Sequence, residues 1–261
     1  MELDLQKIAR IRARNFDQAS AMNYLLSPIR RELERRIDLA AAESTDSLVI
    51  DFLGGDLLQN HAAARRCSLL DASTDVAFAD VDFADQSFDC VAINLQSSWL
   101  QFDPLIAQAR RLLRPGGSLY FSAFGPDTLG ELQYGWAQAD DLFHVHPFVD
   151  MHHLGDALLQ AGFVKPIVDA DWIYVDYPSI DILFADLKQE GFANIHSQRR
   201  KTLTGKHRFE KFKRALAEVA TKGSHINITF EIIYGFAELS DRPDMSADRS
   251  IRVMPPSASG L

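Results

Sequence analysis

The hydrophobic positions of the chain follow a helical period first and strand-like runs afterwards. From Leu3 to about Leu39, apolar residues recur at helical spacing, and Ser27-Pro28 predicts a break that would give a pair of helices. Short runs rich in β-branched and aromatic residues follow, separated by helical or turn segments. These predicted strands are Ser47 to Leu53, Cys67 to Leu70, Asp75 to Ala79, Phe88 to Asn94 and Ser118 to Phe124. Near-continuous apolar strands that alternate with helices predict an α/β fold, with a parallel sheet covered on both faces.

The second half of the chain continues this alternation. Pro104 to Leu113 has the spacing of an amphipathic helix, and Arg114-Pro115-Gly116-Gly117 ends it before the next strand. Further helices are predicted at Met151 to Ala161, Ile180 to Gln189 and Phe209 to Ala220, and further strands at Asp171 to Tyr177 and Ile226 to Phe236. The predicted division is N-terminal helices over 1–40, an α/β domain over 41–239 with a basic helical insertion at about 178–225, and a flexible tail over 240–261.

Composition narrows the classes of function. A chain of 261 residues with 47% hydrophobic content can bury a sizeable core, and its formal charge of -9 argues against general affinity for nucleic acid. Cys67 and Cys90 lie in apolar runs without metal-ligand spacing and are interpreted as small buried hydrophobic residues. The N-terminus lacks a signal-like apolar region, and no apolar run approaches the ~20 residues that span a bilayer. We therefore expect a soluble, cytoplasmic protein that does not engage membranes.

The strand Val49 to Leu53 runs into Gly54-Gly55, where a nucleotide-binding fold holds its cofactor. A plain strand-to-helix turn explains the two glycines equally well.

Several segments, in order, carry a resemblance to a known family. Ser87 to Val91, followed by Leu112 to Gly117, resembles the class I S-adenosylmethionine-dependent methyltransferases. Four later segments narrow this resemblance to the malonyl-acyl-carrier-protein O-methyltransferases of biotin synthesis, to which a mitochondrial complex I assembly factor is closely related. These segments are Phe121 to Leu129, His146 to Leu158, Arg199 to Gly205 and Phe230 to Gly235.

The resemblance implies a Rossmann-like, seven-stranded sheet, S-adenosylmethionine as donor, and methyl transfer to the free carboxylate of a malonyl thioester on acyl carrier protein. Asp51, Gly54 and Gly55 match the family's first strand and loop. Asp71, twenty positions after Asp51, has the spacing of a carboxylate that accepts bonds from ribose hydroxyls, and Asp80 matches the acid at the adenine amino group. A turn-forming role is the alternative for both.

The first half also departs from the family. Leu53 and Leu57 stand where glycines are expected, and Asp56 brings a carboxylate towards that of the cofactor. Few residues separate Asp71 from the next predicted strand, so the sheet is predicted to be shortened between its second and third strands. The alternative function is therefore a catalytically inactive methyltransferase-fold binding or assembly protein that has lost S-adenosylmethionine binding, with a protein partner at the shortened half.

Candidate substrate residues lie outside the cofactor half. The resemblance implies that Arg199 or Arg200 holds the malonyl carboxylate or the carrier's phosphopantetheine, and that Tyr24 closes the active site, although a core tyrosine is the alternative for Tyr24. Eight basic residues from Arg199 to Arg214, offset by Glu210, predict a face for an acidic carrier protein, against the alternative of a solvated helix. His144 and His146 have no third ligand at convincing spacing, so no metal site is predicted.

Overall fold

The computed structural model describes residues 23–40, 46–51, 57–58, 64–67, 83–95, 102–145, 147–189, 192, 194 and 196–241. Their strands form one sheet in the order β2-β1-β3-β4-β7-β5, in which β6 pairs only with β7. Strands β1 to β4 run parallel, whereas β7 is antiparallel to β4 and to β5. The strands are β1 Ser47–Asp51, β2 Ala64–Cys67, β3 Phe88–Asn94, β4 Leu113–Phe124, β5 Phe163–Tyr177, β6 Thr221–Lys222 and β7 His225–Leu239.

Helices cover both faces of the sheet, as the continuous apolar strands predict. They are α1 Asn23–Ala40, α2 Phe102–Leu112, α3 Gly130–Ala137, α4 Met151–Gln160, α5 Ile180–Gln189 and α6 Lys206–Ala220. Alternate residues of β3 divide between two cores: Cys90 and Ala92 face the core under α1, α3, α5 and α6, whereas Val91 and Ile93 face the core under α2 and α4. The predicted α/β class is confirmed.

The predicted break at Ser27-Pro28 is wrong, because α1 continues through Pro28. Proline removes one backbone donor and costs a helix interior about 3 kcal/mol or more. The apolar stripe of the same helix offsets that cost, since Leu25, Ile29 and Leu33 are each at most 2% exposed. Arg36 also ties this helix to β5, because its Nη1 donates to Asp169 Oδ1 at 2.7 Å. Local sequence predicted the break, and tertiary packing removes it.

The Arg-Pro-Gly-Gly turn lies within a strand rather than before it. β4 already begins at Leu113, which pairs with Phe88, and pairing resumes at Ser118 opposite Cys90. The intervening residues form an irregularity in which Gly116 has φ of +80°, a conformation that favours glycine. The glycine therefore serves the bulge, and the strand starts five residues before its predicted start.

Other boundaries also moved, and some predictions lie outside the described residues. β5 begins at Phe163, eight residues before the predicted Asp171, and α6 begins at Lys206 rather than Phe209. α4 ends at Gln160, close to Gly162, whose φ of +84° suits a helix C-terminus. Residues 75–79, predicted as a strand, and the segment that follows Asp71 are not among the described residues.

Cys90 is buried as expected, and burial raises the pKa of its thiol to about 12. No helix in the described part of the chain is long and apolar enough to span a membrane.

Candidate functional site

The parallel strands bring a row of polar residues to the carboxyl edge of the sheet. Asp51, the last residue of β1, pairs in register with Asn94 at the end of β3, which pairs in turn with Ser122 of β4. The Ser122 hydroxyl donates to Asn94 Oδ1 at 2.6 Å, and both side chains are at most 1% exposed. The backbone N–H of Leu95, a residue with φ of +55°, donates to the Ser122 carbonyl at 3.0 Å. These contacts fix the backbone where the chain leaves β3.

This edge contains the point at which the strand order reverses. From β1 the sheet continues to β2 on one side and to β3 on the other. In open α/β sheets, ligands bind in the crevice outside the carboxyl ends of the strands at such a switch point. The topology therefore places the mouth of a binding site beside the ends of β1 and β3.

The predicted cofactor residues can be located only in part. Asp51 ends β1 at the switch point, as the sequence predicts, although its side chain is not described. Gly54, Gly55, Asp71 and Asp80 lie outside the described residues, so their roles stay predictions. Leu57, one of the residues that replaces an expected glycine, is 1% exposed and packs in the core beneath α1. Its side chain is therefore committed to the core.

A turn at the end of β4 is held by Glu231 of the neighbouring strand β7. The backbone N–H of Gly125 donates to the Glu231 carbonyl at 2.9 Å, and the N–H of Asp127 donates to its carboxylate at 2.7 Å. The Thr128 hydroxyl donates to the Glu231 carbonyl at 3.0 Å. A Cβ at Gly125 would overlap the carboxyl group of Glu231, so only glycine fits beneath it.

Glu231 is 6% exposed, and burial raises the pKa of its carboxyl group above the ordinary value against the lowering effect of the Asp127 N–H. Trp172 of β5 also holds the turn, because its indole N–H donates to Asp127 Oδ2 at 3.2 Å. The turn after β4 is therefore fixed from two strands.

Tyr24 lies at a junction of three elements. Its hydroxyl donates to the carboxylate of Asp186 on α5, and the Tyr177 hydroxyl at the end of β5 donates to the same oxygen at 2.8 Å. The two tyrosine oxygens are 2.9 Å apart. Burial raises the pKa of Asp186 to about 6. Tyr24 is 47% exposed, so its ring is not part of the buried core.

The two candidate arginines lie next to each other but have different partners. Arg199 Nη1 donates to the carbonyl of His196 at 3.1 Å. Arg200 Nη1 donates to Asp140 Oδ2 at 3.2 Å, and its Nε donates more weakly to the Leu203 carbonyl at 3.4 Å. Arg200 is largely enclosed, since only 16% of its side chain is exposed.

Asp140, just after α3, is a site residue that sequence reasoning missed. His144 Nε2 donates to its Oδ1 at 2.8 Å, and Arg208 Nε lies 4.0 Å from its Oδ2. Burial alone would raise its pKa, but the hydrogen bonds from His144 and Leu142 and the charge of Arg200 leave the pKa below the ordinary value. The spacing of Asp140 and His144 was the available signal, because residues four apart can pair locally.

An aromatic stack continues from this carboxylate into the core. The His144 ring lies 3.9 Å from the Trp136 ring at an interplanar angle of 3°, and Trp136 stacks on Phe212 of α6 at the same distance. The His144 ring is therefore engaged by both Asp140 and Trp136. Asp150 caps α4, because its side chain accepts from the His152 N–H at 2.8 Å.

The stack borders a cavity of about 170 Å³ between α3, α5 and the segment before α4. Its walls include Leu129, Leu132, Trp136, Phe148, Phe184 and Phe192. Phe148 and Phe192 pack against Phe124, the last residue of β4, at ring distances of 5.8 and 5.1 Å. The cavity therefore adjoins the carboxyl edge of the sheet.

Helix α6 carries most of the predicted basic residues on its outer face. Lys206, Arg208, Lys211 and Arg214 are exposed, whereas Phe212 and Leu216 are buried. Lys213 pairs with Glu210 at 2.8 Å, so the single acid of the cluster is already engaged.

Comparisons with known proteins agree with these features. A family model described as a methyltransferase domain matches residues 40–121, a range that contains all five predicted cofactor residues. The malonyl-[acyl-carrier protein] O-methyltransferase 1 of Coxiella burnetii is 38% identical over 161 residues, which are 61% of this chain and 56% of that protein. The enzyme of the same name from Legionella pneumophila is 34% identical over 156 residues, 59% of this chain and 55% of that protein.

The malonyl-[acyl-carrier protein] O-methyltransferase of Xylella fastidiosa is 39% identical over 155 residues, covering 59% of this chain and 52% of that protein. The chain thus spans about half the length of the curated relatives it matches. Among solved structures, a Bacillus halodurans protein with the provisional description of a methyltransferase superposes with a TM-score of 0.52 at 15% identity. The superposition covers 80% of this chain and 98% of that one.

The fold is therefore that of the class I methyltransferases. Within that class, the resemblance to the malonyl-acyl-carrier-protein O-methyltransferases that the sequence segments predicted is confirmed by the relatives.

Proposed function

We propose that this protein is an S-adenosylmethionine-dependent methyltransferase that acts on the free carboxylate of a malonyl thioester carried by acyl carrier protein, in biotin synthesis. The observation that carries the proposal is the meeting of Asp51 and Asn94 at the switch point of a methyltransferase sheet. The names of the similar proteins supply the substrate class.

The chemistry of the switch point fits a nucleoside cofactor. An acidic residue at the end of β1 and a strand order that reverses beside it are features of sites that hold nucleosides. Asp51, Gly54, Gly55, Asp71 and Asp80 would hold S-adenosylmethionine. The core position of Leu57 favours this assignment, because its buried side chain is not exposed at the surface where a cofactor would bind.

The bound cofactor would supply an activated methyl group on a sulfonium. A carboxylate acceptor is already ionised near neutral pH, so the protein needs no general base. Its residues are then required to bind and orient the substrate and to exclude water, and such alignment can supply ~7–11 kcal/mol of the barrier. The turn fixed by Glu231 at the end of β4 is suited to that positioning role.

We assign the substrate carboxylate to Arg200, with Arg199 beside it. Nη1 of Arg200 is engaged by Asp140, whereas its Nη2 makes no hydrogen bond within the described residues. An arginine can bind two carboxylates on different edges of its planar group. Tyr24 would close the site through α1, because its hydroxyl ties that helix to Asp186.

The acidic carrier would dock on the exposed basic face of α6. Long-range attraction between that face and an acidic partner would accelerate association in a salt-dependent manner. We further propose the division predicted from the sequence, in which 178–225 forms an insertion that carries this face and 240–261 forms a tail.

Titration calorimetry with S-adenosylmethionine and with S-adenosylhomocysteine tests the proposal. We expect saturable binding of both by the wild type and its loss in Asp71→Ala. Asp181→Ala, a change at an exposed position of α5, is the matched control and should bind normally. Absence of binding by the wild type at millimolar ligand would contradict the proposal.

That negative result would favour the alternative of an inactive methyltransferase fold. The specific observation behind this alternative is the substitution of Leu53, Asp56 and Leu57 into the expected glycine loop. The protein would then use the α6 face and the shortened cofactor half to bind a protein partner.

A further inference from the structure

The aromatic cavity beside β4 is poorly matched to a malonyl group alone. A malonyl group has a single methylene between two polar carbonyl groups, whereas the cavity is lined mainly by aromatic and aliphatic side chains. Its volume of about 170 Å³ is similar to the ~150 Å³ cavities that remain dry and bind benzene. The walls therefore suit a run of methylene groups.

Part of the cavity wall comes from helices. Leu132 and Trp136 come from α3 and Phe184 from α5, and the Trp136 indole is stacked between His144 and Phe212. Leu132 is 2% exposed, so the inner wall is closed to solvent. The pocket is consequently formed before any ligand enters, which avoids a cost of ordering on binding.

One end of the cavity opens to solvent, and its inner walls lie in the core. Lys188 lines the cavity and is exposed, whereas its neighbour Leu187 is 7% exposed and belongs to the core. At another wall, Phe148 and Phe192 contact Phe124 at the end of β4. A chain attached to a carrier could therefore enter beside Lys188 and reach the carboxyl edge of the sheet.

We propose that this cavity binds the saturated acyl chain of a thioester, one longer than the malonyl group. The thioester class is taken from the proposed function, and the chain length comes from the volume and apolar walls. The protein therefore binds medium-length acyl thioesters in addition to the malonyl thioester, with the aliphatic part between Leu132, Trp136 and Phe148.

Titration calorimetry with butyryl-, hexanoyl- and decanoyl-pantetheine tests this site. A buried methylene contributes about 0.8 kcal/mol, which corresponds to roughly a fourfold change in affinity. We expect hexanoyl-pantetheine to bind at least tenfold more tightly than butyryl-pantetheine, with a smaller gain for the decanoyl chain once the cavity is full. Equal dissociation constants for the butyryl and hexanoyl thioesters would overturn the proposal.

Filling the cavity should remove the dependence on chain length. Leu132→Trp places an indole ring in the inner wall of the cavity. Leu203→Trp adds the same ring at a position that is 95% exposed. We expect the hexanoyl preference to disappear in the first variant and to remain in the second. A preference that survives in a folded Leu132→Trp protein would assign binding to another surface and contradict the proposal.

Fluorescence provides a test that does not depend on that variant's folding. Hexanoyl-pantetheine should shift the emission of Trp136, so the shift should persist in Trp172→Phe and vanish in Trp136→Phe. The reverse pattern would overturn the assignment. Neither experiment measures methyl transfer, so failure of the acyl site would leave the proposed methyltransferase activity intact, and failure of that activity would leave the acyl site testable.

Discussion

The hydroxyl group of Tyr24 on α1 donates to the carboxylate of Asp186 on α5, a residue 162 positions further along the chain. The same carboxylate accepts from Tyr177 at 2.8 Å, so one partly buried acid joins α1, the end of β5 and α5. Helix α1 is thereby tied to α5, which lines the aromatic cavity beside β4.

Asp186 should make stability depend on pH over a defined window. Its pKa in the folded protein is about 6, because burial disfavours the charged form. An unfolded aspartate has a pKa of about 3.9. With the folded pKa raised, the stabilising contribution is fully present below about pH 4 and is lost as pH rises through about 6. Asp186→Asn should lack this dependence, so the difference in melting temperature between wild type and variant should change between about pH 4 and about pH 6.

Asp181→Asn is the control for that experiment, because Asp181 lies exposed on the same helix. Its melting temperature should follow the wild type across the window. A wild-type minus Asp186→Asn difference that is flat between pH 4 and pH 6 would show that the buried carboxylate does not titrate there.

Gly125 and Glu231 should be energetically coupled. A methyl group at position 125 would overlap the Glu231 carboxyl group, and such overpacking costs about 1–3 kcal/mol. We expect Gly125→Ala to destabilise the wild type by that amount in urea unfolding and to cost less in a Glu231→Ala background. Gly130→Ala is the control, because no heavy atom lies within 4 Å of its added Cβ. Additive costs for the two substitutions would contradict the coupling.

Asp140 should contribute more to stability than its neighbour Asp141. The Asp140 carboxylate accepts from His144 at 2.8 Å and from Arg200 at 3.2 Å, whereas Asp141 is exposed. Asp140→Asn should lower the free energy of unfolding at neutral pH by about 1–3 kcal/mol, and Asp141→Asn should change it by less than about 0.5 kcal/mol.

The lowered pKa of Asp140 sets the direction of its pH dependence. Because the folded pKa is depressed, its contribution is present above the unfolded value and is lost as pH falls below it. The difference between wild type and Asp140→Asn should therefore shrink on acidification below about pH 4. Equal stabilities of Asp140→Asn and Asp141→Asn at neutral pH would show that the contacts of Asp140 with His144 and Arg200 do not stabilise the protein.

The basic face of α6 should control the rate of carrier association. Arg214→Glu reverses one charge on that face and should lower the association rate constant for malonyl carrier protein several-fold at low salt. Arg31→Glu makes the same change at an exposed position of α1 and should have a much smaller effect. Stopped-flow measurements at two ionic strengths check this, since the difference should narrow as salt increases. Equal slowing by both variants would indicate a non-specific charge effect.

Hydrophobic periodicity was sufficient to predict the α/β class and, from Phe88 onwards, every described helix and strand except α3 and β6. It failed at Pro28, where buried contacts of Leu25, Ile29 and Leu33 keep the helix intact. It also placed the starts of β4 and β5 too late. The bulge at Gly116 interrupts β4, and the apolar and polar residues at the start of β5, from Phe163, do not alternate clearly in the sequence.

The candidate site was predicted less completely. The resemblance located Arg199, Arg200 and Tyr24, but their partners Asp140, Tyr177 and Asp186 became evident only from contacts between distant segments. The cavity likewise could not be predicted, since its walls come from helices that only tertiary packing brings together. Side-chain partners across long sequence separations are set by the fold and carry no local pattern.

The most direct test of the central claim is the mass of malonyl carrier protein after incubation with this protein and S-adenosylmethionine. The proposal predicts that intact-protein mass spectrometry shows the gain of one methylene unit on the malonyl form and none on the unacylated carrier. An unchanged mass, with a related active methyltransferase converting the same carrier preparation, would contradict methyl transfer to the malonyl carboxylate.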